Sequence, residues 1–356
     1  MAIFVGAFII MMLGRAAVVV VKNNNREKIQ CIIIGIVYFL LAALRGRCVG
    51  GDTDIYVRAF ERISLLDIVA TYEQADKDPV FYVFLNLVSK FTDSYTVLFI
   101  IIALFFTISV TRFLYKYSKD PTLSWIIVLA FSLYQFTLTA MRQTIAISFV
   151  LIAFSYLFEG KWLKGIIAVL LGALFHSSVI AVLMVFVVYK VKLNKPMLWI
   201  SVGVLGLSFI LNKQIARLAL NVFQGDSTSY GISEEQSGLT MLFVIFVLYV
   251  FAVFFVNSKD LENSKETKML FILSFFAVFF ETLVPAQPIF FRIAFYFLFA
   301  LIVLVPNVIF TGRKREDLLI LYLVIAVLLS IQYFVFTIGS SHIFPYYTFW
   351  QPRPLA

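Results

Sequence analysis

The sequence is short of charge. Asp, Glu, Lys and Arg make up 14% of its 356 residues, where an ordinary soluble domain carries about 25%. Beside a hydrophobic share of 62%, that deficit excludes a soluble enzyme, a disordered chain and a coiled coil. Cysteine is scarce too. The two present, Cys31 and Cys48, flank one apolar run and lie about 25 Å apart along a helix, too far to bond, so no disulfide framework exists. Walker, zinc, GxSxG and Rossmann signatures are absent. ATP is therefore not this chain's energy source, and any reaction must start from an already activated substrate. The formal charge of +9 is scattered over short loops rather than gathered on one domain, which argues against nucleic acid.

What the sequence has is apolar runs. They fall at 2–21, 30–45, 95–114, 122–139, 143–158, 163–176, 178–190, 197–211, 239–256, 269–284, 289–306 and 318–337. A bilayer-spanning helix needs about 20 mainly apolar residues, so the pattern predicts an all-α polytopic membrane protein with about 12 crossings (11–13). The whole chain, 1–356, forms one membrane domain. No basic region precedes the first run, so 2–21 is a first transmembrane helix rather than a cleaved signal. The stretch Val80–Phe91 is too short to cross and carries Asn86 and Lys90. It is expected to be interfacial or re-entrant within an outer loop, 46–94. A second outer loop spans 212–238.

The loops 22–28, 112–120, 159–164, 190–195, 257–268 and 312–316 hold more than half of the 29 Lys and Arg residues. By the positive-inside rule these loops are cytoplasmic, and both termini lie on the other side. The remaining charges then stand out. Arg142, in TAMRQTIAISF, sits between two apolar runs. A guanidinium there must face a cavity or a partner, and its fork suits a phosphate; otherwise it is a loop arginine reaching the interface. His176 joins two runs, either as a proton shuttle or phosphate donor or as a turn residue bonded to Ser177 or Ser178. Arg292 lies inside IFFRIAFYF, with Tyr296 on the same helix face. It is an anion clamp or the ion-pair partner of Glu281. Asp52 and Asp54, in GGDTDIY after Gly50 and Gly51, suit general-base work, sugar recognition or a metal, and equally suit a helix start. Arg45, Arg47, Arg142 and Arg292 fall together on the non-cytoplasmic side, against the charge bias, as a shared anion would require. Tyr56, Tyr346, Tyr347 and Trp350 lie on that side too. They fit an interfacial belt or a sugar-stacking surface.

The series LRGRCVGGDTDIY, TAMRQTIAISF, LGALFHSSVI, FFRIAFYF and PYYTFW, in that order and spacing, resembles the EpsG family of Wzy-type polysaccharide polymerases over about 38–350. The resemblance implies a glycosyltransferase of the bacterial cytoplasmic (inner) membrane. Such an enzyme polymerises undecaprenyl-diphosphate-linked oligosaccharide repeat units of capsule, O-antigen or exopolysaccharide on the outer face, with lipid diphosphate as leaving group. It implies that Arg142 and Arg292, with Arg45 behind them, bind the diphosphate. His176 and Asp52 or Asp54 would be catalytic, and Tyr56, Gln143, Tyr296 and Tyr346 would contact substrate. Neither cofactor nor metal is expected. The partners implied are the lipid-linked oligosaccharide, membrane lipid, and a chain-length regulator and flippase of the same pathway, with no nucleic acid. The rival readings are a lipid-linked oligosaccharide flippase or transporter, a membrane O-acyltransferase and a glycan ligase. A flippase would carry polar residues through both membrane halves, whereas these charges, Arg15 apart, keep to one side.

Overall fold

The apolar runs become helices, but several are shorter, bent or broken where the sequence suggests one straight crossing. The computed structural model describes residues 24–75, 77–224, 238–310 and 343–351, with Gly6, Ile9 and Met11. The runs at 2–21 and 318–337 therefore fall largely or wholly outside the described residues. Among the described residues regular structure is helical, with one isolated antiparallel bridge between Arg45 and Thr348. Two compact units are present. One holds the described residues through Ile180 together with 343–351, and the other begins at Ala181.

The first unit opens with α1 (Asn24–Ala43). Its Cys31, Ile34, Tyr38 and Ala42 face inward while Ile29, Ile32, Ile33, Ile36 and Leu40 face out. This is the helical period of a lipid-exposed element. The segment that follows, expected as an outer loop, folds as three short helices, α2 (Thr53–Ile63), α3 (Ile68–Glu73) and α4 (Pro79–Ser89). Next come α5 (Tyr95–Tyr117), α6 (Pro121–Ala130), α7 (Leu133–Thr139), α8 (Met141–Phe158) and α9 (Trp162–Phe175). The run 122–139 is split into α6 and α7, bent by 58°, at Ser132, whose φ of 54° is left-handed.

The three loop helices are packed, not dangling. Tyr56, Val57, Phe60 and Ile63 of α2 meet Phe81 and Leu85 of α4 in a core that also takes in Leu98, Phe99 and Ile102 of α5 and Met141 and Ile145 of α8. Asn86 explains its place in an apolar helix. It is fully buried, and its Nδ2 donates to Ile63 O and Leu66 O at 2.9 Å and to Thr71 Oγ1 at 3.1 Å. Lys90 Nζ adds a bond to Leu66 O at 3.0 Å. The two polar residues that keep this segment from reading as a crossing thus fasten α4 to the end of α2, the turn after it and α3. The C-terminal segment closes on the end of α1. Gly46 N donates to Tyr347 O at 2.8 Å, Phe349 N to Leu44 O at 3.0 Å, and Tyr346 Oη to Leu41 O at 2.6 Å.

The second unit contains α10 (Lys195–Ile210), α11 (Asn212–Gln224), α12 (Leu239–Phe255), α13 (Lys265–Leu283) and α14 (Phe290–Ile309). The beginning of the expected second outer loop, 212–238, is helical, bent by 82° from α10. Ser208 and Thr282 share a hydrogen bond of 2.6 Å between α10 and α13. Among the described residues three helices, α5, α8 and α14, are long and apolar enough to cross a membrane, or five if each bent pair is one span. The expected count of about twelve is not reached among the described residues. Several runs make apolar helices of only 10–17 residues, and those lengths fall below the roughly 20 residues a perpendicular crossing needs.

Candidate active site

The site begins at a helix start that does not behave as one. Asp78 precedes Pro79, the first residue of α4, and so holds the cap position. A capping aspartate normally accepts a bond from the first turn of its own helix. Asp78 makes no such bond, and its backbone is left-handed, with φ and ψ both 54°. That turn sends the carboxylate across to two other elements. Oδ2 accepts from Arg142 Nη1 and meets His176 Nδ1, each at 3.1 Å, and Oδ1 accepts from the backbone N–H of Ser177 at 3.1 Å. The side chain is 6% exposed. Burial alone would raise this carboxyl, but the bonds from His176 and Ser177 and the Arg142 charge together hold it below its usual value.

Arg142 stands in the first turn of α8, directly after the bent α6–α7 pair. His176 caps the C-terminal end of α9 in an extended conformation. The two residues singled out in the sequence are therefore held on a single oxygen atom. Each keeps an unused polar atom: Arg142 Nε and His176 Nε2 are buried without a hydrogen-bond partner. Buried polar groups are rarely left so, and in a site that takes a polar ligand they are the groups that meet it. Tyr56 of α2 lies against the same guanidinium, and packs edge-on to Phe81 at 5.4 Å. Burial pushes its phenol up, and Arg142 draws it part of the way back. The charge of Asp52 reaches Tyr56 as well. Asp52 begins α2 without a side-chain cap bond and is half-buried, so its carboxylate stands beside the cluster without closing it.

The other expected site residues are placed differently. Asp54 is engaged by Arg47 Nε at 2.6 Å and by Arg58 Nε at 2.7 Å. Arg45 is 3% exposed. Its Nη1 donates to Ala42 O, its Nη2 to Leu138 O at 3.2 Å, and its guanidinium lies 4.2 Å from the Phe99 ring centre. Tyr346, beside it, has its phenol pushed up to about 12 by burial. Both therefore make bonds to backbone at the junction of α1 and the C-terminal segment. Gln143 is buried next to Arg142. Arg292 lies in the first turn of α14, in the second unit, half-exposed and 5.9 Å from the Phe291 ring centre. Tyr296, one turn on, is fully buried. Glu281 is 1% exposed, and its Oε2 has no hydrogen-bond partner. Among the described residues no three His, Cys, Asp or Glu side chains converge as a metal site requires.

Asp78 was not among the residues the sequence marks. Asp-Pro at the head of an apolar run spells a helix start, and that spelling hides the carboxylate's other use.

Compared with protein families, the chain matches EpsG over residues 28–348. The chain belongs to the EpsG family. The resemblance read in the motifs is thereby shown, and members of the EpsG family are Wzy-type polymerases. No curated protein and no solved structure matches the chain. The EpsG match takes in α2, α4, α8 and α9, so the whole Asp78 cluster falls within it.

Proposed function

We propose that this EpsG-family protein polymerises undecaprenyl-diphosphate-linked oligosaccharide repeat units on the outer face of the bacterial cytoplasmic membrane. The observation that carries the reading is the joining of Arg142 and His176 on Asp78, each with a buried nitrogen left for a ligand. In the transfer, a hydroxyl oxygen of the acceptor repeat unit bonds to the anomeric carbon of the growing glycan. The bond from that carbon to the diphosphate oxygen breaks, and the electron pair leaves with the lipid diphosphate. Arg142 offers its fork to the departing diphosphate, where charge develops. His176 receives the hydroxyl proton or donates to the diphosphate. Asp52 orients the acceptor, since Asp54 is already bound by Arg47 and Arg58. Tyr56 completes the wall beside Arg142. The donor's own diphosphate supplies the driving force, so neither ATP nor a cofactor enters. The outward orientation rests on the basic loops, and a flippase and chain-length regulator are the partners such a reaction needs.

The test is reconstitution with a synthetic undecaprenyl-diphosphate repeat unit. A ladder of glycans is expected from the wild type. No ladder with competent substrate would refute the reading.

A further inference from the structure

The proposed reaction leaves open what decides the state of His176. The three contacts of Asp78 bear on this directly. An ionised carboxylate only accepts hydrogen bonds. Oδ1 is taken by Ser177 N–H and Oδ2 by Arg142 Nη1–H, and both of these groups can only donate. The ring nitrogen 3.1 Å from Oδ2 must then be a donor as well. In a neutral imidazole with Nδ1 protonated, the free lone pair sits on Nε2, the atom with no protein partner. The ring is 14% exposed, so water does not readily reset the choice. We infer that Asp78 is the positioning residue of this site: it holds His176 as the Nδ1–H tautomer and keeps the Arg142 fork in register with it.

The local structure follows this use. Asp78 adopts a left-handed backbone, which a non-glycine residue seldom does, and gives up the cap bond to the Val80 or Phe81 amide of its own helix that its position would allow. Both departures aim one carboxylate at α8 and α9 together.

The inference rests on the polymerase reading, and it specifies that reaction's proton path. The acceptor hydroxyl gives its proton to His176 Nε2 as its oxygen bonds to the anomeric carbon. The imidazolium so formed is stabilised by the carboxylate on Nδ1, while the diphosphate leaves against Arg142. The proton then passes to the departing diphosphate or to water, restoring the neutral ring. Besides Asp78, the titratable groups around the pair are Arg142 on α8, Tyr56 and Asp52 at α2, and Tyr82 on α4. Among the contacts described, none of these offers Nδ1 an alternative acceptor.

The experiment pairs nitrogen-15 NMR of histidine-labelled protein with turnover. The chain has two histidines, His176 and His342, and a His342→Gln sample assigns the signals. The wild type should show His176 protonated on Nδ1. Asp78→Asn keeps the shape but only one oxygen. If its carbonyl serves Ser177, its NH2 faces Nδ1 and demands an acceptor there, which moves the proton to Nε2. If its carbonyl serves Arg142, its NH2 opposes the Ser177 N–H. The expected result is a shift toward the Nε2–H tautomer and a fall in turnover of about 100-fold, with little change in donor KM. Asp78→Glu should restore the tautomer and part of the rate. A wild-type His176 carrying its proton on Nε2 overturns the inference, even if no variant folds. So does Asp78→Asn with wild-type turnover. A wild type that makes no glycan ladder sinks the polymerase reading, while the tautomer measurement still decides the role of Asp78.

Discussion

A guanidinium and an imidazole at the ends of apolar helices each need a polar partner, and Asp78 meets both needs. Removing it leaves the charge of Arg142 uncompensated, so Asp78→Ala should destabilise the protein by about 3 kcal/mol, read as a lower Tm in detergent. The pH dependence follows from the depressed carboxyl. A group whose folded value lies below its unfolded value of about 4 stabilises fully above that pH, and the stabilisation disappears as pH falls through the folded value. The Tm gap between wild type and Asp78→Ala should therefore close in acid below about pH 4; a gap that persists there contradicts the ion-pair account. Arg142→Ala should lower polymer formation by about 100- to 1,000-fold. Arg142→Lys should recover only part, because an ammonium keeps the charge but not the planar fork; equal rates for Lys and Arg would remove the fork from the mechanism. At this scale the sequence is half legible. Arg142 and His176 announce themselves because a polar group between apolar runs is conspicuous. Asp78 does not, because its neighbour Pro79 offers a complete local explanation. Asp52 and Asp54 look equivalent on paper, and Arg47 separates them only once the chain has turned back through Gly50.

The elements owe their positions to a few polar fasteners. Asn86 holds α4 to the chain around α2 and α3 through three bonds. Asn86→Ala strips the buried carbonyl of Ile63 of its side-chain donor and leaves Leu66 O to Lys90 alone, at a cost of about 1–3 kcal/mol. Hydrogen exchange should quicken across 53–89 while α5 and α8 stay protected; uniform quickening would mean the loop helices are not a separate layer. Gly50 is the hinge that brings α2 against α7. Its φ is 102°, and a Cβ there would stand 2.6 Å from Leu138 O, so Gly50→Ala should cost about 1–3 kcal/mol and lower Tm. The short helix 79–89 is foreseeable from its length and its polar residues. The break at Ser132 is not, since no glycine or proline stands between Pro121 and Ala140, and a hydropathy pattern carries no record of one residue turning left-handed. The helical start of the 212–238 segment is hidden by its polar composition, which reads equally as loop.

At the scale of the whole molecule, composition gave the solvent correctly and periodicity gave helices, while the number of crossings depends on bends and lengths that hydropathy does not encode. Orientation is open to a direct check. Cys48 is half-exposed on the outer side of the proposed topology, and Cys31 is buried. A membrane-impermeant thiol reagent should label Cys48 in intact cells and leave Cys31 untouched; labelling of Cys48 from the cytoplasmic side alone would invert the topology. The seam between α1 and residues 346–349 has a consequence in time. Tyr346 Oη and Leu41 O are 305 residues apart in the chain, and every helix of the second unit is synthesised between them. At about 5–20 residues per second, the carbonyls of Leu41 and Leu44 wait roughly 15–60 s for their partners. The first unit to emerge is thus the last to be finished, and nascent chains halted before Tyr346 should accumulate with that end of α1 still open to the insertion machinery.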